Sequence, residues 1–205
     1  MSCVEPDGDG RVLGLRVVVR GVSPLVMRRV VVEVDTTLAA LDDVLRVVFG
    51  WSDTARYRFR IHGREYGRSS PAIGQHDVVL DAFGLRAGER FVYRHDTALS
   101  WVLDVRVEAA VGRGAQGAVP RCVSGRRRVP PVWCGDASAF MAWEDTSSFA
   151  GTADRVGSIA AVDEALVDGE QVEMMAWRAR DLFDRRAVNR QLAGLARAKV
   201  VTRCE

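Results

Sequence analysis

The sequence predicts an α+β fold: an antiparallel, β-grasp-like sheet with one packed helix, followed by a helical C-terminal extension. Three observations predict it. Several short runs alternate β-branched or aromatic residues with polar ones, which is the period of half-buried strands. One segment between the second and third runs changes to a three-and-four spacing of leucine and valine, the period of an amphipathic helix. Beyond residue 136 the helical period returns and the alternation does not.

The elements follow in order. Residues 1–10 are acidic and Gly-rich and are expected to be a disordered lead-in; residues 11–110 hold the core. Leu13, Leu15, Val17 and Val19 share one face of the first strand. A break at Gly21 to Pro24 leads to a second strand, with Val30, Val32 and Val34 on one face and Arg29, Val31 and Glu33 on the other. Leu38, Leu41, Leu45 and Val48 then form a helical stripe, with Asp42, Asp43 and Arg46 expected on the opposite, solvated side. Asp35, Thr36 and Thr37 are all competent N-caps, Gly50 is a natural stop, and Trp51 should anchor against the sheet.

Arg56 to His62 alternates sharply: Tyr57, Phe59 and Ile61 face one way, and Arg56, Arg58, Arg60 and His62 the other. A turn at Gly63 allows a short partner strand around Tyr66. Val78–Phe83 and a Gly84–Gly88 turn precede two further strands. One carries Phe91, Tyr93 and His95 on a single face, the other Trp101, Leu103, Val105 and Val107. Residues 111–136 look like a Gly/Pro/Arg-rich connection. Residues 137–205 supply helices beginning near Phe140, over Val162–Trp177, and from an Asp184 cap through Val188, Leu192 and Leu195. They are expected to pack on the core within one structural domain.

Composition excludes several classes. The chain has 205 residues, 48% of them hydrophobic and 27% charged, which is incompatible with wholesale disorder. A net charge of +2 is too small for a global field to draw in nucleic acid or membrane. No apolar run approaches the ~18 residues of a membrane span, and the acidic N-terminus is unlike a signal peptide, so a cytoplasmic location is expected. Lys199 is the one lysine, a bias that fits GC-rich coding better than selection for arginine. Four dispersed cysteines, Cys3, Cys122, Cys134 and Cys204, imply no disulfide framework.

Cys122 and Cys134 lack the neighbouring ligands of a zinc site, so no metal is expected there; a structural pair of thiols is the plainer reading. There is no G-x-S-x-G elbow and no phosphate-binding P-loop. Gly112, Gly114 and Gly117 run into Pro120 rather than a helix, so no nucleotide cofactor is expected.

Two constellations remain. Arg56, Arg58 and Arg60 form one cluster, and Arg126, Arg127 and Arg128 form another. If they converge they make a phosphate-binding patch for DNA, since the planar guanidinium fork suits phosphate oxygens. His95 and Asp96, joined by Asp136, would be the remnants of a hydrolase if they met in one pocket.

The order of motifs resembles the plasmid pRiA4b ORF-3-like family, related to "TnpR-like" insertion-element passenger proteins. The resemblance rests on Gly21 to Arg29, where the family has Pro-Pro-Ile-Trp-Arg-Arg, then on Thr37-Leu38, Phe49-Gly50-Trp51, Phe59-Arg60-Ile61 with Tyr66-Gly67, and Gly88 to Tyr93. It continues through Pro120-Arg121-Cys122, Gly125, Pro130-Pro131, Cys134-Gly135 and Val188-Asn189 with Leu192. The family's Tyr-x-Tyr-Asp-Phe-Gly-Asp-x-Trp-x-His keeps Tyr93, Asp96 and Trp101 here but loses the Gly-Asp pair and the last histidine. Its Pro-Pro-Glu-Asp-Cys-Gly-Gly becomes Pro130-Pro131-Val132-Trp133-Cys134-Gly135-Asp136, without both acids. The resemblance therefore implies a scaffold with its polar site depleted. The expectation is a non-enzymatic interaction module with an unknown protein partner, and the alternative is a DNA-binding accessory protein.

Overall fold

Alternating strands of this kind have to share their ladders, and in a computed structural model they do so in one seven-stranded antiparallel sheet. The structure describes residues 10–51, 56–67, 77–96, 100–112, 117–131, 134–146 and 183–202. The strands are β1 (Arg11–Val19), β2 (Met27–Glu33), β3 (Arg56–Ile61), β4 (Arg64–Gly67), β5 (Arg90–Asp96), β6 (Ser100–Gly112) and β7 (Arg121–Arg126). Their spatial order is β4-β3-β5-β6-β1-β2-β7. The helices are α1 (Leu38–Phe49), α2 (Ala137–Thr146) and α3 (Arg185–Thr202). The expected antiparallel α+β architecture is met.

The sheet's two faces differ in chemistry because side chains alternate along each strand. Leu15 pairs with Val107, Val17 with Val105, Tyr93 with Leu103 and Phe59 with Tyr93 on the inner face. These are buried together with Leu38, Leu41, Leu45 and Val48 of α1. Each such side chain removed from water contributes about 1.5–3 kcal/mol before entropy is charged against it.

Helix α1 begins where the sequence places its cap. The Thr37 hydroxyl accepts from the Ala40 N–H at 3.1 Å, and Gly50 ends the helix at φ 67°, a left-handed conformation that glycine adopts without Cβ strain. Trp51 then anchors as expected: it is buried, stacked on Phe49 at 5.3 Å and on His95 at 4.5 Å.

One expectation is corrected, and two lie outside the described residues. The 111–136 segment is not solely a connection, because Arg121–Arg126 pairs with β2 and adds a strand. Leu80–Phe83 is a 3₁₀ turn, held by a bridge between Thr37 and Val79. The helix expected over Val162–Trp177 and the lead-in up to residue 9 lie outside the described residues. The third expected helix is α3, capped by the Asp184 carboxylate, which accepts from Arg186 and Ala187 N–H at 2.8 and 3.0 Å.

Helix α3 packs beside α1 and against β7. Asn189 reaches the outer edge of β7, where its side-chain oxygen accepts from Cys122 N–H at 2.7 Å and its amide donates to Cys122 C=O at 3.0 Å. The side chain thus stands in for a neighbouring strand. No helix among the described residues is long and apolar enough to cross a membrane.

Candidate functional site

The two faces of the sheet separate the candidates. On the inner face, His95 and Tyr93 of β5 meet Asp42 of α1. The Tyr93 hydroxyl donates to Asp42 at 2.6 Å and lies 3.2 Å from His95 Nδ1, and Asp42 also accepts from Arg46 at 3.0 Å. Asp42 is therefore not on a solvated side of the helix, as its spacing suggested; it is 4% exposed and belongs to the core. Burial pushes its carboxyl above the usual range, opposed by the hydrogen bonds from Tyr93 and Arg46. Burial, reinforced by the charge on Asp42, pushes the Tyr93 phenol up, so it stays a donor.

This cluster is sealed. His95 and Tyr93 are fully buried, and Trp51 and Trp101 close around them. The indole N–H groups of both tryptophans have no partner among the described residues. A substrate cannot reach groups placed this way without local opening.

Asp96 follows His95 on β5, so alternation sends it to the opposite, outer face. There it accepts from Arg58 Nε at 2.8 Å and from the Ser100 hydroxyl at 2.9 Å. Burial alone would raise its pKa, but these bonds hold the carboxyl below the usual range. Asp136 is used elsewhere: it caps α2, accepting from Ala139 N–H at 2.9 Å. The structure thus divides His95, Asp96 and Asp136 among the core, the outer face and a helix cap.

The arginine clusters also stay apart. Arg56, Arg58 and Arg60 lie on the outer face of β3, while Arg126 ends β7 at the far side of the sheet, five strand spacings or about 24 Å away. Arg127 and Arg128 follow Arg126 past that edge, Arg127 exposed with a left-handed φ of 60°.

Between the clusters lies a feature the sequence conceals. Register places Arg90 opposite Arg106, Arg106 opposite Arg16, and Arg16 opposite Arg29, a row of guanidiniums crossing β5, β6, β1 and β2. Arg94 stands opposite Arg58 on the same face. Some of this charge is met locally: Arg29 by Glu108 at 2.9 Å, Arg58 by Asp96, and Arg20 by Asp104. Arg16, Arg56, Arg60, Arg90 and Arg106 have no acidic partner among the described residues. All but the half-buried Arg16 are exposed. On the outer face of β1 and β2, Val12 and Val31 on one side of the Arg16–Arg29 pair and Met27 on the other are buried.

Arg28 differs from the rest. Its position on the inner face of β2 makes it a core residue, 2% exposed, donating to Met27 C=O and Arg126 C=O at 2.8 Å each. The Phe183 ring covers its guanidinium at 3.8 Å. Burial pulls its pKa down to about 10, which leaves it charged at neutral pH.

The described cysteines are free and separately satisfied. Cys122 donates to Ser124 C=O and Cys134 to Pro131 C=O, and burial pushes each thiol up to about 11. Among the described residues no group of three or more His, Cys, Asp or Glu side chains gathers as metal ligands would.

Comparisons with known proteins agree with the scaffold. An uncharacterized protein of Sinorhizobium fredii, y4hQ, is 29% identical over 103 residues; the match covers 47% of this chain and 53% of that protein, so the chain spans about half its relative's length. The crystal structure of MM3350, a protein of unknown function from Methanosarcina mazei Go1, superposes with a TM-score of 0.63 at 18% identity, over 86% of this chain and 96% of the other, and so shares the fold. The description "Plasmid pRiA4b ORF-3-like protein" matches residues 11–192, which take in the whole of the sheet and the start of α3, and the chain belongs to that family.

Proposed function

We propose that this chain is a non-enzymatic binding module that takes a polyanionic partner in the cytoplasm on the open face of its sheet. One observation carries the reading: the cross-strand arginine row, with Arg16, Arg90 and Arg106 lacking acidic partners among the described residues. Like charges directly opposite one another destabilise a sheet, so the row is a standing cost that an anionic ligand relieves.

The chemistry of the other candidates supports binding over turnover. General acid–base catalysis needs a group within hydrogen-bonding reach of substrate, and His95, Tyr93 and Asp42 are closed off by the core. A thiol with its pKa at about 11 holds little thiolate at neutral pH, so neither described cysteine is an activated nucleophile. A hydrolase built on His95, Asp96 and Asp136 would have to bring together groups on opposite faces of one strand. The insertion-element link that the family resemblance implies suits a polyanionic partner and is part of this proposal.

Heparin chromatography provides the test. The protein should elute at clearly higher salt than an Arg16→Glu/Arg106→Glu variant that retains the native circular dichroism spectrum. Elution of both at the same salt would remove the outer face from consideration.

A further inference from the structure

We infer that the polyanion is a nucleic-acid duplex gripped by its phosphates, with its bases unread. The inference rests on the polyanion reading above and narrows it by what the face contains and what it lacks.

The guanidiniums form a grid rather than a line. Adjacent strands lie about 4.8 Å apart and alternate residues about 6.7 Å apart, so the row from Arg90 to Arg29 spans about 14 Å. Arg60 and Arg56 extend the grid onto β3. A rigid two-dimensional array of bidentate donors suits a ligand whose anionic oxygens are themselves held at fixed spacing on a stiff surface.

A single strand is a poorer match. Proteins that bind single strands add aromatic platforms on which bases stack. The outward positions of β1, β3, β5 and β6 hold no aromatic residue among the described residues; their apolar members beside the arginines are Val18, Val92 and Val102, all half-buried. A protein partner is also disfavoured, because stable interfaces have a desolvated apolar or aromatic centre. The large apolar side chains that are exposed among the described residues, Leu25 and Val123, lie on the β1–β2 turn and at the β7 irregularity beside Arg29, two separate positions that form no apolar centre.

The sheet's width fixes the mode of contact. Seven strands span about 29 Å, against a major groove about 12 Å wide. The face therefore lies across the phosphate rails and cannot enter the groove, which predicts affinity without sequence preference.

The test is fluorescence anisotropy of the full chain with labelled mixed-sequence DNA duplexes and their single strands across a salt series. Five unpaired arginines each neutralising a phosphate predict a slope of log Kobs against log salt near −4.5, at about −0.9 per contact. Arg16→Gln/Arg106→Gln should lower it to about −2.7, and so should Arg60→Gln/Arg90→Gln, which guards against a folding artefact in either pair. Arg197→Gln, which removes one positive charge from an exposed position of α3 on the other side of the sheet, should leave the slope unchanged. Unrelated duplexes should bind within about twofold of each other.

Tighter binding of single strands, strong preference among duplexes, or an equal effect of Arg197→Gln would overturn the inference. Loss of duplex binding alongside heparin retention that still depends on Arg16 and Arg106 would also overturn it, while leaving the polyanion reading intact. Failure to bind either polymer would end both.

Discussion

Asp42 and Asp96 are carboxylates of the same kind set in opposite environments, and their titrations should shift stability in opposite directions. Asp42 has its folded-state pKa raised by burial, so the folded protein binds its proton more tightly than the unfolded chain does. Stability contributed at this site is full below the unfolded value of ~3.9 and declines as pH rises through the folded value. Asp96, held ionised by Arg58 and Ser100, does the reverse: its contribution is full above ~3.9 and is lost as pH falls. Urea unfolding of Asp42→Asn and Asp96→Asn between pH 3 and 7 should therefore give differences from the native protein with opposite slopes. Parallel slopes would mean that one of the two environments is wrongly described. Replacing Tyr93 by Phe removes the phenol donor from the buried Asp42 Oδ1, while Arg46 still donates to Oδ2, and should cost about 1–3 kcal/mol. An unchanged urea midpoint would show that the bond contributes nothing. Little of this could be read in the sequence. Asp42 sits beside Leu41 at the border of the helical stripe, and only the phenol of a residue 51 positions away decides that it turns inward.

At the scale of elements, legibility followed alternation. Strands β1, β2, β3, β5 and β6 carry mainly apolar residues at alternate positions, and the structure has them where that pattern put them. β7 does not. Its sequence, Arg-Cys-Val-Ser-Gly-Arg, sits between Gly- and Pro-rich stretches and shifts register against β2 between Arg29 and Val30. Such an edge strand draws its order from its neighbours: β2 on one side and the Asn189 carboxamide of α3 on the other. Asn189→Ala should leave both backbone groups of Cys122 without these partners. In hydrogen exchange, the Cys122 amide should then exchange faster while the central β1–β6 ladder keeps its protection. Uniform acceleration would instead mean that α3 supports the whole sheet. Gly125 adds a second probe of the same junction. A Cβ there would overlap the Phe183 ring and crowd Arg28, so Gly125→Ala should destabilise by about 1–3 kcal/mol through overpacking, as read by its urea midpoint.

For the whole molecule, the net charge of +2 concealed the property that matters most, because a total carries no information about where charges stand. Clusters close in sequence, such as Arg126 to Arg128, are easy to see. The row through Arg90, Arg106, Arg16 and Arg29 takes one residue from each of four strands, and only the register of those strands assembles it. If the proposed binding role holds, this surface should be kept at the expense of stability. Arg106 stands between Arg90 and Arg16 with no acidic partner among the described residues, so Arg106→Glu turns two like-charge neighbours into opposite-charge ones. At low ionic strength this variant should unfold at higher urea than the native protein, by about 0.2–1 kcal/mol, while its retention on heparin falls. Raising salt toward 1 M shortens the screening length to about 3 Å and should remove most of the gain. A folded-state improvement that vanishes with salt and is accompanied by weaker anion binding identifies the repulsion itself as the cost of the site. If Arg106→Glu is neutral or destabilising at low salt, the row is already neutralised within the protein and the face has no unmet charge to offer a ligand.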